Sequence, residues 1–599
     1  MISIDIGPSE DGQERERKVM TMGEIHLTES KRARILDNLT FVYGEEKAHK
    51  TYEAIADMLE DVQAKPAKQW VDEQDVMLIT YGDSIREEGE SPLSSLHRFL
   101  NDNMKDKLTN VHLLPFYPYS SDDGFSVIDY EQVDPALGNW SDILKLHEDY
   151  HLMFDAVINH ISQESEWFQQ YLKGDPAFAS YFIEADPNED YRSVTRPRAL
   201  PLLTPFETAN GLKHIWTTFS DDQIDLNYEN EQVLLHILRI LLMYVDRGAR
   251  FLRLDAIGFM WKKLGTTSIH LEEAHRLIQV MRDVLESAAP GTILITETNV
   301  PHKENISYFG NGHNEAHMVY QFPLPPLTLH ALQTGRARKL SEWADSLEPT
   351  TAETSFFNFL ASHDGIGVRP VEGLLTKEEV QAMVDKVQQH GGFVSYKDNG
   401  DGTKSPYELN INYMDALSAP EEQQDMRVAR FMAAQSILLS MQGVPGIYIH
   451  SLLGSQNDLE GVKKTGRNRS INREKLERKA VQAELDREGS LRHDVFTSFQ
   501  KLIAMRQGSK AFHPNGEQKV LMLDDRVFSL LRTSPDRDEA VAVLINVSDE
   551  QVTLERSAQE LGLTASETAT DLMTGNVVEC GADRISLTLE PYQVMWLNQ

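Results

Sequence analysis

At 599 residues the chain is too long for one small core and calls for two to four domains. Hydrophobic residues at 41% and charged residues at 25% are the proportions of a soluble globular protein, and no run approaches the roughly 18–20 apolar residues of a membrane span. A formal charge of −35 excludes a nucleic-acid partner, whose phosphates it repels, and the single Cys580 excludes an intramolecular disulfide or a cysteine metal cluster. The first residues lack the basic-then-apolar order of a secretory signal, so the cytoplasm is the expected location. The acid excess fits either a salt-stressed host or an ordinary acidic bacterial enzyme.

Residues 1–25 read as a loosely attached lead. From Thr28 to about Ala64, Ile35, Leu36, Leu39, Val42 and Tyr43, then Tyr52, Ile55, Ala56 and Leu59, recur at helical spacing. Thr28 or Ser30 is placed to cap the first helix and Gly44 to end it. This N-terminal extension, residues 1–70, is either an accessory pair packed on the main domain or an oligomer contact.

Short apolar runs then alternate with amphipathic helices, notably 231–247 and 270–288, the signature of a parallel α/β sheet. Eight strands are predicted, at 76–81, 111–116, 152–158, 251–255, 293–297, 317–322, 356–361 and 446–450. They suit a (β/α)8 TIM barrel over 71–517, with its active site at the strands' C-terminal ends. Two gaps are too long for simple crossovers, which places insertions at 161–230 and 365–445. From 518 to 599 short strands (520–523, 527–531, 541–545 and 585–589) indicate a C-terminal antiparallel β domain.

Three acids end or follow barrel strands: Asp255 in Arg250-Phe-Leu-Arg-Leu-Asp255, Glu297 in Ile293-Leu-Ile-Thr-Glu297, and Asp364 in Ala361-Ser-His-Asp364. A charge just past a buried strand is costly unless it has chemistry to do. Retaining glycosyl transfer needs two carboxyl groups roughly 5–5.5 Å apart. Asp255 on the fourth strand is placed as nucleophile and Glu297 on the fifth as acid/base, while Asp364 stabilises the oxocarbenium-like transition state. Arg253, two residues before Asp255, points to the same side and keeps it ionised. His160 and His363 are suited to bond sugar hydroxyls. Each alone is weak; an Asp after a strand is commonly a cap or turn residue.

Asp155–His160, Arg253–Asp255, Glu297 and His363-Asp364 resemble the four ordered motifs of the α-amylase family of glycoside hydrolases. Leu78-Ile-Thr-Tyr-Gly-Asp83, Asp123-Gly-Phe-Ser-Val-Ile-Asp129, His363-Asp-Gly-Ile-Gly-Val368 and Ser470-Ile-Asn-Arg473 narrow the likeness to its sucrose phosphorylase branch, over about 75–599. The resemblance implies that Asp122 and Arg469 grip the far hydroxyls of glucose, with Arg467 the alternative to Arg469. It also implies that Phe125 and Phe259 line the glucose pocket rather than serve as ordinary core aromatics.

Arg198, in Thr195-Arg-Pro-Arg198, resembles the branch's phosphate-contacting arginine, and Tyr407 its phosphate-side tyrosine. Glu408 stands where sucrose-acting relatives carry glutamine, a change that favours a neutral polyol acceptor. Lys262, Lys263 or His302 would instead suit glycerate's carboxylate. The expectation is phosphorolysis of 2-O-α-glucosylglycerol to α-glucose 1-phosphate and glycerol. Glucosylglycerate or sucrose 6-phosphate is the alternative donor; a hydrolase or transglucosidase of the same fold, or an inactive binding module, is the alternative class. Inorganic phosphate is a substrate and no cofactor is expected. Asn159 and nearby acids resemble amylase calcium ligands, but the branch implies no metal.

Overall fold

The eight apolar runs become eight parallel strands that close on one another. The computed structural model describes residues 27–60, 62, 68, 70–198, 200–398, 403–564, 568–580 and 584–599. Its barrel strands are β1 Met77–Thr80, β2 Asn110–Leu113, β3 His151–Ala156, β4 Ala249–Leu254, β5 Ile293–Thr296, β6 Met318–Tyr320, β7 Ser355–Phe359 and β8 Val444–Tyr448. Each pairs with its neighbours in sequence, and β8 closes on β1 with Gly446 opposite Met77. Almost every strand residue is buried, because side chains fill the barrel and helices cover it.

Helices α1 Glu29–Tyr43 and α2 Glu45–Glu60 precede the barrel. Thr28, not Ser30, caps α1 by accepting from the Lys31 N–H (3.3 Å), and Gly44, at φ 80°, ends it. The pair packs on the outer helices α3 Glu231–Asp246 and α4 Glu272–Ala288. Arg34 Nε donates to Asp283 (3.0 Å), Arg276 to Asn38 (3.0 Å) and Tyr43 Oη to Tyr228 O (2.9 Å). Ile35, Leu39, Ile55 and Leu59 join the barrel's own apolar core. The extension is thus seated on its own chain; the loosely attached lead assigned to 1–25 lies outside the described residues.

The 161–230 stretch holds a helix, Glu166–Lys173, and a hairpin of Leu203–Thr208 with Gly211–Trp216. Between β7 and β8 lie helices Lys377–Gln389 and Gln424–Ser440 and the hairpin Phe393–Asp398 with Lys404–Asn410. A short strand, Ile366–Gly367, adds to that hairpin with Gly367 opposite Glu408. This pairing ties Glu408 to the chain that follows β7.

The C-terminal region forms a six-stranded antiparallel sheet and a two-stranded one. The strand expected at 520–523 is instead Glu517–Val520, because its ladder with Val527–Thr533 ends at the Val520–Leu530 pair. Val552–Arg556, Thr568–Asp571, Val577–Glu579 and Val594–Asn598 lie outside the expected strands; each is short, and only the first two alternate buried with exposed side chains. β7 also stops earlier than expected, at Phe359, so Asp364 sits on the following loop.

Candidate active site

The barrel register sets two acids side by side. Thr296 of β5 pairs with Leu254 of β4, so Glu297 and Asp255 follow in step, and the Glu297 N–H donates to Leu254 O (3.1 Å). Neighbouring strands lie about 4.8 Å apart, close to the roughly 5–5.5 Å separation of a retaining carboxyl pair. After Asp255 the chain turns through Ala256 at φ 50°, a conformation uncommon for a residue with a Cβ and costing about 1–3 kcal/mol. That turn aims the Ala256 N–H at Glu297 Oε2 (3.2 Å), so it couples the two acids.

Arg253 lies beneath them, almost wholly buried. Its Nη1 donates to Asp255 Oδ1 (2.9 Å) and to Asp155, whose other oxygen meets His112 Nε2 at 2.7 Å. Burial raises the Asp255 carboxyl to about 8, against Arg253 and with the repulsion of Glu297; burial raises Glu297 as well. The pair therefore retains a proton near neutral pH. A guanidinium bonded to Asp255 favours that residue as the anion and leaves the proton on Glu297.

Asp364 behaves differently. Burial alone would raise it, but Arg469, His363 and Arg473 together hold it well below the usual carboxylate range. Arg469 Nη1 lies 2.6 Å from Asp364 Oδ1, and Arg473 Nε donates to His363 O (2.7 Å). His363 stacks on Phe125 (centroids 4.7 Å, 7° between planes), and burial lowers its imidazole to about 3. His160, also kept neutral by burial, has Nε2 2.9 Å from Phe125 O. Phe259 meets Phe219 edge to face (5.4 Å).

The three acids line one cavity of about 130 Å³ together with Asp122, Phe125, His160, Phe259, His363, Arg469, Arg198, Tyr407 and Glu408. Arg253 lies behind, in a smaller adjoining space shared with Glu297 and Asp364. Cavity residues that the sequence reading missed include Phe219, Gln223, Asn299 and Arg369. Arg369 follows the His363–Val368 motif directly and was within reach of that signal; nothing distinguished Phe219 and Gln223 from the run leading into α3.

The residues expected to hold substrate are paired with one another. Asp122 accepts from Arg198 Nη2 (2.9 Å). Arg469 forms a two-point pair with Glu408, Nε to Oε1 at 3.0 Å and Nη2 to Oε2 at 2.6 Å, besides its contact with Asp364. Arg467 is half exposed and 3.9 Å from Asp123, so of the two arginines Arg469 enters the site. Glu408 is only 4% exposed. Its charge is matched within the protein, which removes the repulsion expected against an anionic acceptor.

None of the three groups suggested for a carboxylate lines the cavity. Lys262 is buried, with Nζ 2.7 Å from Asp225 Oδ2 and 2.8 Å from Asn159 Oδ1. Its ammonium thus takes the place among Asn159 and the nearby acid where calcium had been weighed. Lys263 is exposed, and the His302 ring lies 6.3 Å from that of Phe356. No group of three or more His, Cys, Asp or Glu side chains arranged to hold a metal occurs among the described residues. Nor, among them, is any helix long and apolar enough to cross a membrane.

Residues 105–387 match the family model "Alpha amylase, catalytic domain". The chain is 46% identical to the glucosylglycerate phosphorylase of Escherichia coli (strain K12), over 94% of this chain and 100% of that one. Identity to the glucosylglycerol phosphorylase of Marinobacter adhaerens (strain DSM 23420 / HP15) is 27%, over 66% and 81% respectively. Among solved structures, sucrose 6F-phosphate phosphorylase from Thermoanaerobacter thermosaccharolyticum superposes with a TM-score of 0.70 at 25% identity, covering 88% of this chain and 99% of that one.

Proposed function

The chain belongs to the α-amylase family, in its sucrose phosphorylase-like branch, and is a glycoside phosphorylase; from that premise we propose that it acts on α-glucosylglycerate, releasing glycerate and forming α-glucose 1-phosphate. The observation that carries this acceptor is the 46% identity to a glucosylglycerate phosphorylase across nearly the whole chain, against 27% over two thirds of it for the glycerol-specific relative. The two-point pair between Arg469 and Glu408 supports it, because the one residue that favoured glycerol has its charge engaged.

In the first step an Asp255 oxygen attacks the anomeric carbon as the bond to the glycerate oxygen breaks, and Glu297 gives that oxygen its proton. Asp364 faces the positive charge that develops on the ring; held ionised by Arg469 and Arg473, it is ready to do so. In the second step a phosphate oxygen attacks the same carbon, its proton passes to Glu297, and the bond to Asp255 breaks. Two inversions retain the α configuration. Phe125 and His363 bound the glucose ring, Asp122 takes its distal hydroxyls, and Arg198 exchanges Asp122 for phosphate. Tyr407 donates its hydroxyl to the same anion; burial raises it to about 12, so it remains protonated.

Reverse synthesis from α-glucose 1-phosphate with glycerate, glycerol or fructose 6-phosphate tests the acceptor. Phosphate release should be fastest with glycerate by at least tenfold. Faster release with glycerol returns the assignment to glucosylglycerol; rapid free-glucose formation in every tube contradicts a phosphorylase.

A further inference from the structure

The cavity is rich in arginine, yet almost every guanidinium near it is already paired with a carboxylate. Arg198 bonds Asp122, Arg469 bonds Asp364 and Glu408, and behind them Arg253 bonds Asp255 and Asp155 while Arg473 bonds Asp123. Arg369 is the exception: it lines the cavity, is half-buried, and among the described residues its side chain makes no hydrogen bond or ion pair. Resting the argument on glycerate as acceptor, we propose that Arg369 is the residue that receives the acceptor's carboxylate and so selects glycerate over glycerol.

Its position is built rather than incidental. The Val368 N–H donates to Tyr407 O (3.1 Å) and Gly367 pairs with Glu408, so Arg369 is fixed beside the segment bearing both residues. On its other side Gly367 presses against Asn299, where an added Cβ would lie 3.0 Å from the amide nitrogen; Asn299 follows Glu297 by two residues. The backbone leading into Arg369 is therefore held between the segment that follows Glu297 and the strand bearing Tyr407 and Glu408, and Arg369 lines the same cavity as Glu297. Asn299 Oδ1 is buried without a partner among the described residues, and it lines the same cavity. A glycerate bound there presents a carboxylate to Arg369 and hydroxyls to Asn299; glycerol offers only the hydroxyls. A guanidinium and a carboxylate make a charge-assisted pair that a neutral polyol cannot replace.

The other anion of the reaction, phosphate, is the competing occupant, and kinetics separate the two. Arg369→Ala and Arg369→Lys are compared with the wild type in synthesis, with glycerate and with glycerol, and in phosphorolysis at varied phosphate. The expected result for Arg369→Ala is a KM for glycerate raised at least tenfold, and a ratio of glycerate to glycerol kcat/KM reduced at least tenfold, with the KM for phosphate changed far less than that for glycerate. Arg369→Lys recovers part of the glycerate affinity. A raised phosphate KM with an unaltered glycerate KM reassigns Arg369 to phosphate and overturns the proposal, as does an equal loss with both acceptors. If the wild type uses glycerate and Arg369→Ala keeps that preference, only the Arg369 assignment fails. A wild type that ignores glycerate overturns the acceptor reading and this inference together.

Discussion

Arg469 binds Glu408 through two nitrogens while a third reaches Asp364, so one guanidinium links the hairpin strand bearing Glu408 to the carboxylate proposed to stabilise the transition state. Removing it leaves the buried Glu408 without its partner and Asp364 to His363 and Arg473, at a cost of about 3–5 kcal/mol. Arg469→Ala should therefore lower Tm and reduce kcat/KM by at least a hundredfold. Glu408→Gln keeps one hydrogen bond and should cost several-fold in kcat while leaving the ratio of glycerate to glycerol turnover unchanged. A Glu408→Gln enzyme that shifts markedly in that ratio shows that Glu408 touches the acceptor itself. Steady-state kinetics with both acceptors read the difference.

Asp255 and Glu297 have separable roles. Asp255→Asn should reduce turnover by about 10⁴-fold or more, as loss of a covalent nucleophile does. Glu297→Gln should lose roughly 10²–10⁴-fold. Azide distinguishes them: with Glu297→Ala it captures the glucosyl-enzyme and gives the α-azide, whereas with Asp255→Ala direct attack gives the β-azide. The anomeric proton coupling of the product identifies each, and the opposite pattern reverses the assignment.

The acid pair predicts an alkaline limit to activity. Burial raises both carboxyls, Asp255 to about 8 with the added repulsion of Glu297. Below that pH the pair keeps its one proton and Glu297 can donate it; as pH rises through about 8 both acids ionise and the donor is lost. The kcat/KM for glucoside at saturating phosphate should fall tenfold per pH unit beyond it. A profile flat to pH 10 removes Glu297 as the acid.

Lys262 places an ammonium where a cation would otherwise sit, and activity independent of divalent metal is the expected outcome. Its ammonium is buried between Asp225 and Asn159, with Asp225 fully enclosed. Chelation with EDTA should leave activity and Tm unchanged. Lys262→Met strands the Asp225 charge and should destabilise by about 3–5 kcal/mol, and Lys262→Met with Asp225→Asn should restore part of that. Loss of activity in EDTA, recovered by calcium, would contradict this reading.

The barrel was legible because parallel strands are buried on both faces and read as short apolar runs, such as Ile293-Leu-Ile295 and Leu152-Met-Phe154. The three acids that line the cavity were legible because a charge just beyond such a run is conspicuous. The C-terminal strands were less so: Thr568–Asp571 and Val577–Glu579 are three or four residues long and carry little pattern. Pairings between loops left no local trace. Arg198 and Asp122 are 76 residues apart and Arg469 and Glu408 are 61 apart, so only folding shows which charge neutralises which. That is why Glu408 read as a free carboxylate, and why Arg369, one residue past a recognised motif, passed unnoticed.

The proposed reaction passes glucose from α-glucosylglycerate to phosphate with its configuration retained, and proton and phosphorus NMR of the enzyme with both substrates follows it as it happens. α-Glucose 1-phosphate should appear from the first turnover, in equal amount to glycerate, with negligible glycerate release when phosphate is omitted. Release of free glucose at an unchanged rate without phosphate, or appearance of the β anomer of the sugar phosphate, would contradict it.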